Sequence, residues 1–162
     1  LDAVREVMPP FSPESVVAEF CDLLKRYGLR SVTGDRYGGE WPREQFRKQG
    51  VEYVLADKSR SELYLGLVPA INSRLVRLLD VPHLEQQLVG LERRTSRVGR
   101  DTIDHAPGAH DDVANAVAGA LHLVSGGCSY AEAFAKAIGG DDEPIRLHRR
   151  ILPMYSPVGR IN

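Results

Sequence analysis

The sequence predicts an α/β fold in which short parallel strands alternate with helices. Two apolar segments, 29–33 and 51–55, have the length and the residue types of buried strands. Each is followed by a stretch in which apolar residues recur at helical spacing, and glycines mark the turns between these elements. The order strand, helix, strand, helix with short connections is typical of parallel strands covered by helices.

The first half of the chain is predicted to contain three strands and three helices. Ser12 and Pro13 form an N-cap and first-turn pair, so a helix begins there and ends at Gly28. In order, we predict a strand at Ala3–Val7, this helix, a strand at Leu29–Thr33, a helix at Glu40–Gln49, a strand at Val51–Leu55 and a helix at Ser59–Asn72. The buried face of the last helix is predicted to carry Leu63, Leu67, Val68 and Ile71.

The second half is predicted to contain one strong helix, Asp112–Ser125, among shorter elements. Before it we predict a short strand at Val76–Leu79, a short helix at His83–Leu91, and either a β-ribbon or a loop at Leu91–Asp104. After it we predict a further helix at Ser129–Ile138 and a polar tail from Gly139. The predicted domain is therefore 1–125, followed by a C-terminal helix and weakly ordered tail at 126–162.

Composition predicts a soluble protein. The 162 residues are 43% hydrophobic and 27% charged with a formal net charge of −1, which allows a core and neither favours nor excludes a nucleic-acid partner. No apolar run is long enough to span a bilayer, and no signal peptide begins the chain. Cys21 and Cys128 match no zinc or redox spacing and are predicted to be buried thiols of a reducing compartment. We therefore expect a cytoplasmic protein with no membrane partner.

Two acidic segments are predicted to lie at the same end of the fold. Asp35 follows the strand at 29–33, and ligands of open α/β sheets gather at the carboxyl ends of the strands. His110, Asp111 and Asp112 precede a helix whose small residues allow it to pack closely on a sheet. Taken singly, Asp35 is also a turn former, Asp112 a helix cap and His110 a surface residue of a loop.

Together these segments predict a carboxylate pocket for two divalent ions. Clustered carboxylates repel one another unless a positive charge neutralises them, and Mg²⁺ needs only one or two of them because it keeps several waters. Successive helical residues point about 100° apart. One of Asp111 and Asp112 is therefore predicted to bind the ion, and the other to cap the helix or hold the first in place. The sequence leaves that choice open, with Asp112 preferred as the ligand.

Four motifs follow one another along the chain in a specific order. They are Gly34–Pro42, Asn72–Asp80, Leu91–Arg94 and Asp104–Asp112. As an ordered set they closely resemble the C-terminal nuclease domain of tailed-phage terminase large subunits, over about Leu1 to Ser125. The resemblance implies a ribonuclease-H-like fold with a mixed sheet flanked by helices. It also implies an endonuclease that cuts concatemeric double-stranded viral DNA with Mg²⁺ or Mn²⁺ during genome packaging.

The resemblance assigns roles to the acidic residues. Asp35 matches the acidic residue that ends the fourth strand, and His110, Asp111 and Asp112 match the acidic motif that opens the last helix. Catalytic roles are therefore expected for all four residues, and metal binding for the three aspartates. The family carries another essential Asp on its first strand, upstream of the segment that resembles Leu1–Val7. The chain is expected to lack the first two strands and that Asp, and to cut DNA little or not at all by itself.

The resemblance also implies partners and a location. Double-stranded DNA is the expected substrate, and a packaging ATPase domain is expected upstream in the full-length protein. The portal and the small terminase subunit are further expected partners, in the cytoplasm of a bacterial host.

Basic residues cluster near both acidic segments. DNA contacts are predicted for Arg36, Tyr37, Arg43, Arg47, Arg93, Arg94 and Arg97. Such side chains hold the phosphate backbone without reading base sequence, which suits an enzyme that cuts arbitrary sequence. The alternative is that these arginines solvate the surface and pair with nearby glutamates.

Two other functions stay open at the level of sequence. One is a catalytically inactive remnant that binds DNA or docks another protein, and the missing strand favours it. The other is a junction-resolvase-like or transposase-like nuclease, against which the motifs between Asn72 and Arg94 argue.

Overall fold

The strands of the structure lie in a parallel pair and an antiparallel pair. The computed structural model describes residues 1–36, 38–96, 99 and 101–125. Within these residues, β1 (Ser31–Gly34) pairs in parallel with β2 (Glu52–Leu55), and β3 (Leu91–Thr95) pairs antiparallel with β4 (Asp101–His105). The predicted mixture of strand directions is present, but in two separate two-stranded sheets instead of one continuous sheet. The segment predicted as a ribbon or a loop is the β3–β4 ribbon.

The helices of the described residues begin and end close to their predicted limits. They are α1 (Pro13–Arg26), α2 (Glu40–Lys48), α3 (Arg60–Asn72), α4 (Pro82–Val89) and α5 (Asp112–Val124). The Ser12 hydroxyl accepts a hydrogen bond from the backbone N–H of Ser15, as its predicted capping role requires. Ser59 and Glu62 form a reciprocal capping box at the start of α3. Local sequence signals therefore define these helix ends.

Two groups of buried apolar residues hold the elements together. The first lies among α1, β1, α2 and β2 and contains Val16, Val17, Phe20, Cys21, Leu24, Leu29, Val32, Phe46 and Val51. The second lies among α3, α4, β4 and α5 and contains Leu63, Tyr64, Leu67, Leu84, Ile103, Val113, Ala114, Val117 and Ala118. The predicted buried thiol of Cys21 is confirmed. The predicted burial of Val68 and Ile71 is wrong, because Tyr64 and Ala70 occupy the buried face of α3 instead.

The segment before α1 joins the two cores without forming a strand. Ala3 and Val7 pack against the first core, whereas Leu1 and Val4 pack against the second. The strand predicted at 3–7 is therefore wrong: its apolar residues pack into two cores, and no described strand pairs with its backbone. The strand predicted at 76–79 is also wrong. That stretch accepts a hydrogen bond from the N-terminus of Leu1 through the Arg77 carbonyl, at 3.1 Å.

Some predictions concern residues outside the described ranges. These are the helix at 129–138, the tail from Gly139, the burial of Cys128, and the roles of Tyr37 and Arg97. Across the part of the chain that the structure describes, every helix is too short or too polar to cross a bilayer.

Candidate active site

Asp35 lies where the sequence predicts it, directly after β1 at the carboxyl end of a parallel strand. Its side chain is exposed, and the Tyr53 hydroxyl donates a hydrogen bond to its main-chain oxygen at 2.9 Å. Burial raises the pKa of Tyr53 to about 12, and the nearby Asp35 carboxylate contributes in the same direction. The Tyr53 hydroxyl therefore stays protonated at neutral pH and restrains the backbone that carries Asp35.

The close approach of Tyr53 requires a residue without a side chain at position 34. A Cβ atom on Gly34 would lie 2.1 Å from the Tyr53 hydroxyl oxygen and 2.5 Å from Cζ. The ring of Tyr53 also contacts the ring of Phe46, with 5.5 Å between the ring centroids. A side chain at position 34 would therefore require the Tyr53 ring to move and its contact with Phe46 to change.

We expect Gly34→Ala to destabilise the protein by about 1–3 kcal/mol, the usual cost of overpacking a tight site. The measurement is the free energy of unfolding in urea. Gly119→Ala is the matched control, because its Cβ would meet only Leu63 Cδ1 at 3.9 Å. Inside α5 that change is expected to be neutral or stabilising by up to about 1 kcal/mol. Equal effects of the two substitutions would contradict the role given to Gly34.

Asp111 is the most buried charged residue of the described chain, with 2% of its surface exposed. Arg60 Nη1 donates to its Oδ1 at 2.9 Å, and the Tyr64 hydroxyl donates to its Oδ2 at 2.8 Å. The same hydroxyl lies 3.2 Å from the Asp111 main-chain oxygen. Both donors come from the first two turns of α3, so this helix holds the residue that precedes α5.

Two further groups lie around the Arg60 guanidinium. Its Nη2 is 3.1 Å from Asp104 Oδ1, so the side chain bridges two carboxylates. His105 Nε2 lies 3.8 Å from Asp104 Oδ1 and 3.9 Å from Asp111 Oδ1. Its Nδ1 is 2.9 Å from the Ala106 carbonyl, an acceptor, so Nδ1 carries a proton and Nε2 faces the carboxylates. Side-chain contacts of Asp104 and His105 thus connect the end of β4 to the start of α5.

The protonation states of the two α3 residues suit their role as donors. Burial raises the pKa of the Tyr64 hydroxyl, and the neighbouring Asp111 carboxylate raises it further. Burial by itself would lower the pKa of Arg60, but the carboxylates of Asp111 and Asp104 outweigh it and raise that pKa. Both groups therefore keep their protons across the physiological range, and Arg60 compensates the buried negative charge.

The start of α5 is capped from another helix. Asp111 occupies the N-cap position, but its side chain makes no capping hydrogen bond. The backbone N–H of Ala114 instead donates to Gln87 Oε1 of α4 at 2.9 Å. Because Gln87 satisfies one of the N–H groups that a helix start leaves unpaired, the Asp111 carboxylate is available to α3.

Asp112 is the first residue of α5 and is half-buried. One turn further along lies Asn115, whose side-chain oxygen is buried and has no hydrogen-bond partner among the described residues. Residues three apart on a helix are neighbours, with about 5–6 Å between Cβ atoms. Asp112 and Asn115 therefore offer oxygen atoms on the same side of α5. His110 is exposed in the preceding loop.

Within the described residues, no group of three or more His, Cys, Asp or Glu side chains is arranged to hold a metal ion. The predicted pocket built from Asp35, Asp111 and Asp112 is thus not seen as a preformed cluster of three carboxylates. Asp35 is positioned through Tyr53, and Asp111 through α3. The assignment of metal-binding and catalytic roles to these aspartates and to His110 stays a prediction.

The predicted DNA-binding residues divide into two groups. Arg43 pairs with Glu40 at 2.8 Å, Arg94 with Glu92 at 2.7 Å, and Arg93 with Asp101. These three arginines pair with nearby acids, as the alternative interpretation predicts. In the second group, Arg36 is exposed beside Asp35, and Arg47 is exposed on α2. Exposed ion pairs are weak, so pairing does not prevent a phosphate from replacing the acid.

Sequence reasoning missed five side chains that lie around Asp111 or the first turn of α5. They are Arg60, Tyr64, Gln87, Asp104 and His105. One signal was present, because Arg60 and Tyr64 are four residues apart on a largely apolar helix and so lie on one face. Nothing in the local pattern indicates which distant carboxylate they contact.

Comparison with known proteins identifies two structures with this fold. No protein-family model matches the chain, and no curated protein sequence matches it. The crystal structure of the large terminase nuclease from thermophilic phage G20c is 22% identical, with a TM-score of 0.58 over 68% of this chain and 62% of that chain. The structure of that nuclease with bound magnesium is 21% identical, with a TM-score of 0.58 over 69% of this chain and 62% of that chain.

These similarities establish the fold. The predicted ribonuclease-H-like α/β class is confirmed, and the chain shares it with a large terminase nuclease. The chain spans 62% of the length of that nuclease.

Proposed function

We propose that this chain is part of the nuclease domain of a viral DNA-packaging terminase. Its reaction is the metal-dependent hydrolysis of phosphodiester bonds in concatemeric double-stranded DNA. The observation that carries the proposal is the fold shared with the phage G20c nuclease. Asp35 follows the carboxyl end of a parallel strand, where ligands of α/β folds bind, and His110, Asp111 and Asp112 lie at the start of α5.

The donor atoms of the chain suit Mg²⁺ or Mn²⁺. Hard divalent cations prefer oxygen ligands, and Asp35 and Asp112 supply carboxylates that are exposed or half-buried. The unpaired buried oxygen of Asn115, one turn from Asp112, is a further neutral oxygen donor. The phage G20c nuclease has also been solved with bound magnesium. Asp35 and Asp112 are the residues that would hold the cation.

A bound divalent cation supplies two things: it stabilises negative charge on the phosphoryl group and lowers the pKa of a bound water. Asp35 and Asp112 would provide the negative charge that holds the cation, and His110 or Asp111 would assist the hydrolysis of the phosphodiester bond. Exposed arginines, among them Arg36 beside Asp35 and Arg47 on α2, would hold the DNA backbone by phosphate contacts. The packaging ATPase domain, the portal and the small terminase subunit are proposed partners on the resemblance alone.

The test is a cleavage assay on supercoiled plasmid with Mn²⁺ or Mg²⁺. It uses the 162-residue chain and, in parallel, any longer form that its reading frame encodes. We expect nicking and linearisation by the longer form in either metal, none with EDTA, and little cutting by the short form. An Asp35→Asn/Asp112→Asn double variant purified in the same way controls for contaminating nuclease. If every form binds DNA and none cuts it, the proposal fails in favour of an inactive DNA-binding remnant.

A further inference from the structure

Both carboxylate oxygens of Asp111 accept a hydrogen bond from a residue of α3. Arg60 bonds to Oδ1 and Tyr64 to Oδ2, and the carboxylate is 97% shielded from solvent. A carboxylate in this state already has the positive charge and the hydrogen bonds that burial demands. It needs no metal ion to neutralise it.

The main chain at Asp111 is restrained as well as its side chain. Its carbonyl oxygen accepts a hydrogen bond from the Asn115 N–H at 2.8 Å and lies 3.2 Å from the Tyr64 hydroxyl. Gln87 of α4 accepts a hydrogen bond from the Ala114 N–H, in the first turn of α5. The peptide unit between Asp111 and Asp112 is therefore held by α3 and by the first hydrogen bond of α5, and α4 holds the turn that contains Asp112.

Asp112 gains its orientation from this arrangement. Neighbouring side chains at a helix start point in different directions, so a fixed, inward-facing Asp111 requires Asp112 to face elsewhere. Arg60 also compensates the charge of Asp111, which lowers the repulsion that a second carboxylate at the next position would otherwise feel.

We propose that Arg60 and Tyr64 are positioning residues that clamp Asp111, and that this clamp fixes Asp112 as the cation ligand of the acidic motif. The inference rests on the proposed nuclease function and refines its site. Asp111 thereby becomes part of the support, and Asp112 the residue of the pair that touches the cation. Supporting residues of metal sites commonly change metal affinity or activity by about 10–100-fold when removed.

The clamp is tested by the metal dependence of Tyr64→Phe, which removes the donor to Asp111 and keeps the ring. Mn²⁺ binding is measured by calorimetry on the full chain, and plasmid cleavage by the active form is measured as a function of Mn²⁺ concentration. We expect the Mn²⁺ dissociation constant and the half-saturating Mn²⁺ concentration to rise about tenfold or more. Cleavage at saturating Mn²⁺ should change far less. Tyr27→Phe is the matched control, because Tyr27 is 47% exposed at the end of α1, a helix that packs in the other core.

A double-substitution cycle separates positioning from general stability. Asp111→Asn should weaken Mn²⁺ binding by itself, and Tyr64→Phe should add little in that background, because its partner has already changed. Arg60→Lys keeps the charge and should recover part of the affinity lost in Arg60→Met. Asp112→Asn should abolish Mn²⁺ binding altogether.

The possible failures are distinguishable. If the wild type binds Mn²⁺ and cuts DNA but Tyr64→Phe has the metal dependence of Tyr27→Phe, the clamp is refuted and the proposed function stands. The clamp is equally refuted if Tyr64→Phe lowers the melting temperature with no change in Mn²⁺ affinity. If the wild type binds no Mn²⁺ and cuts no DNA, the proposed function and the clamp both fail.

Discussion

Asp35→Asn should lower metal-dependent DNA cleavage by about 100-fold or more. The substitution keeps the shape of the side chain but removes the negative charge that would hold a divalent cation. Metal ions contribute several kcal/mol of transition-state stabilisation, and each 1.36 kcal/mol corresponds to tenfold in rate. The measurement is the initial rate of plasmid nicking in Mn²⁺ by the active form. Because the Asp35 side chain is exposed, the free energy of unfolding should hardly change.

Asp22→Asn is the matched control for this prediction. Asp22 is an exposed carboxylate on α1 whose nearest basic partner, Lys25, lies 3.9 Å away. The Asp22→Asn variant should cut DNA at the wild-type rate. Both Asp22→Asn and Asp35→Asn should bind a DNA duplex with wild-type affinity in EDTA. Wild-type cleavage by Asp35→Asn would remove Asp35 from the site. A parallel loss in Asp22→Asn would indicate a general effect of surface charge.

Asp111→Ala should destabilise the protein by about 2–4 kcal/mol. The substitution removes the carboxylate acceptor of the buried Tyr64 hydroxyl and leaves it only the longer contact with the main-chain oxygen of residue 111, at a cost of up to about 1–3 kcal/mol. It also removes the carboxylate that pairs with Arg60, a loss that is smaller than for a fully buried pair because the Arg60 side chain is 41% exposed. The measurement is the free energy of unfolding from urea denaturation at neutral pH.

Two further variants test the cause of that loss. Asp112→Ala should cost less than about 1 kcal/mol, because a half-buried acid in the first turn contributes mainly through the helix dipole. The double variant Asp111→Ala/Tyr64→Phe should be less destabilised than the sum of its parts, since the hydroxyl that lost its carboxylate acceptor is then absent. Equal losses at positions 111 and 112 would show that the Asp111 network adds no stability.

Much of the fold could be predicted because its signals are local. Ser12 and Ser59 mark helix starts through hydrogen bonds to residues three positions away, and Gly28 and Gly50 follow helix ends with positive φ angles. The two β-strands at Ser31 and Glu52 were predictable from short apolar runs between helices, which also indicated their parallel pairing.

The strand predictions failed where an extended segment packs through its side chains and does not pair with another strand. The apolar segment at 3–7 is predicted to be a strand, but its side chains pack into two different cores. The apolar content of a segment shows that its side chains can be buried. It does not show that another strand supplies hydrogen bonds to the backbone.

The sequence by itself determined the α/β class, the positions of the helices, and the two acidic motifs at a strand end and a helix start. Those features depend on residues close together in the chain. Only the tertiary structure decided which helix holds Asp111: its carboxylate is bonded to Arg60 and Tyr64 of α3, which precede it by 51 and 47 residues. The physical reason is that helix periodicity specifies which face of α3 is buried but not which carboxylate packs against it. That contact arises only when α3, α4 and α5 pack together.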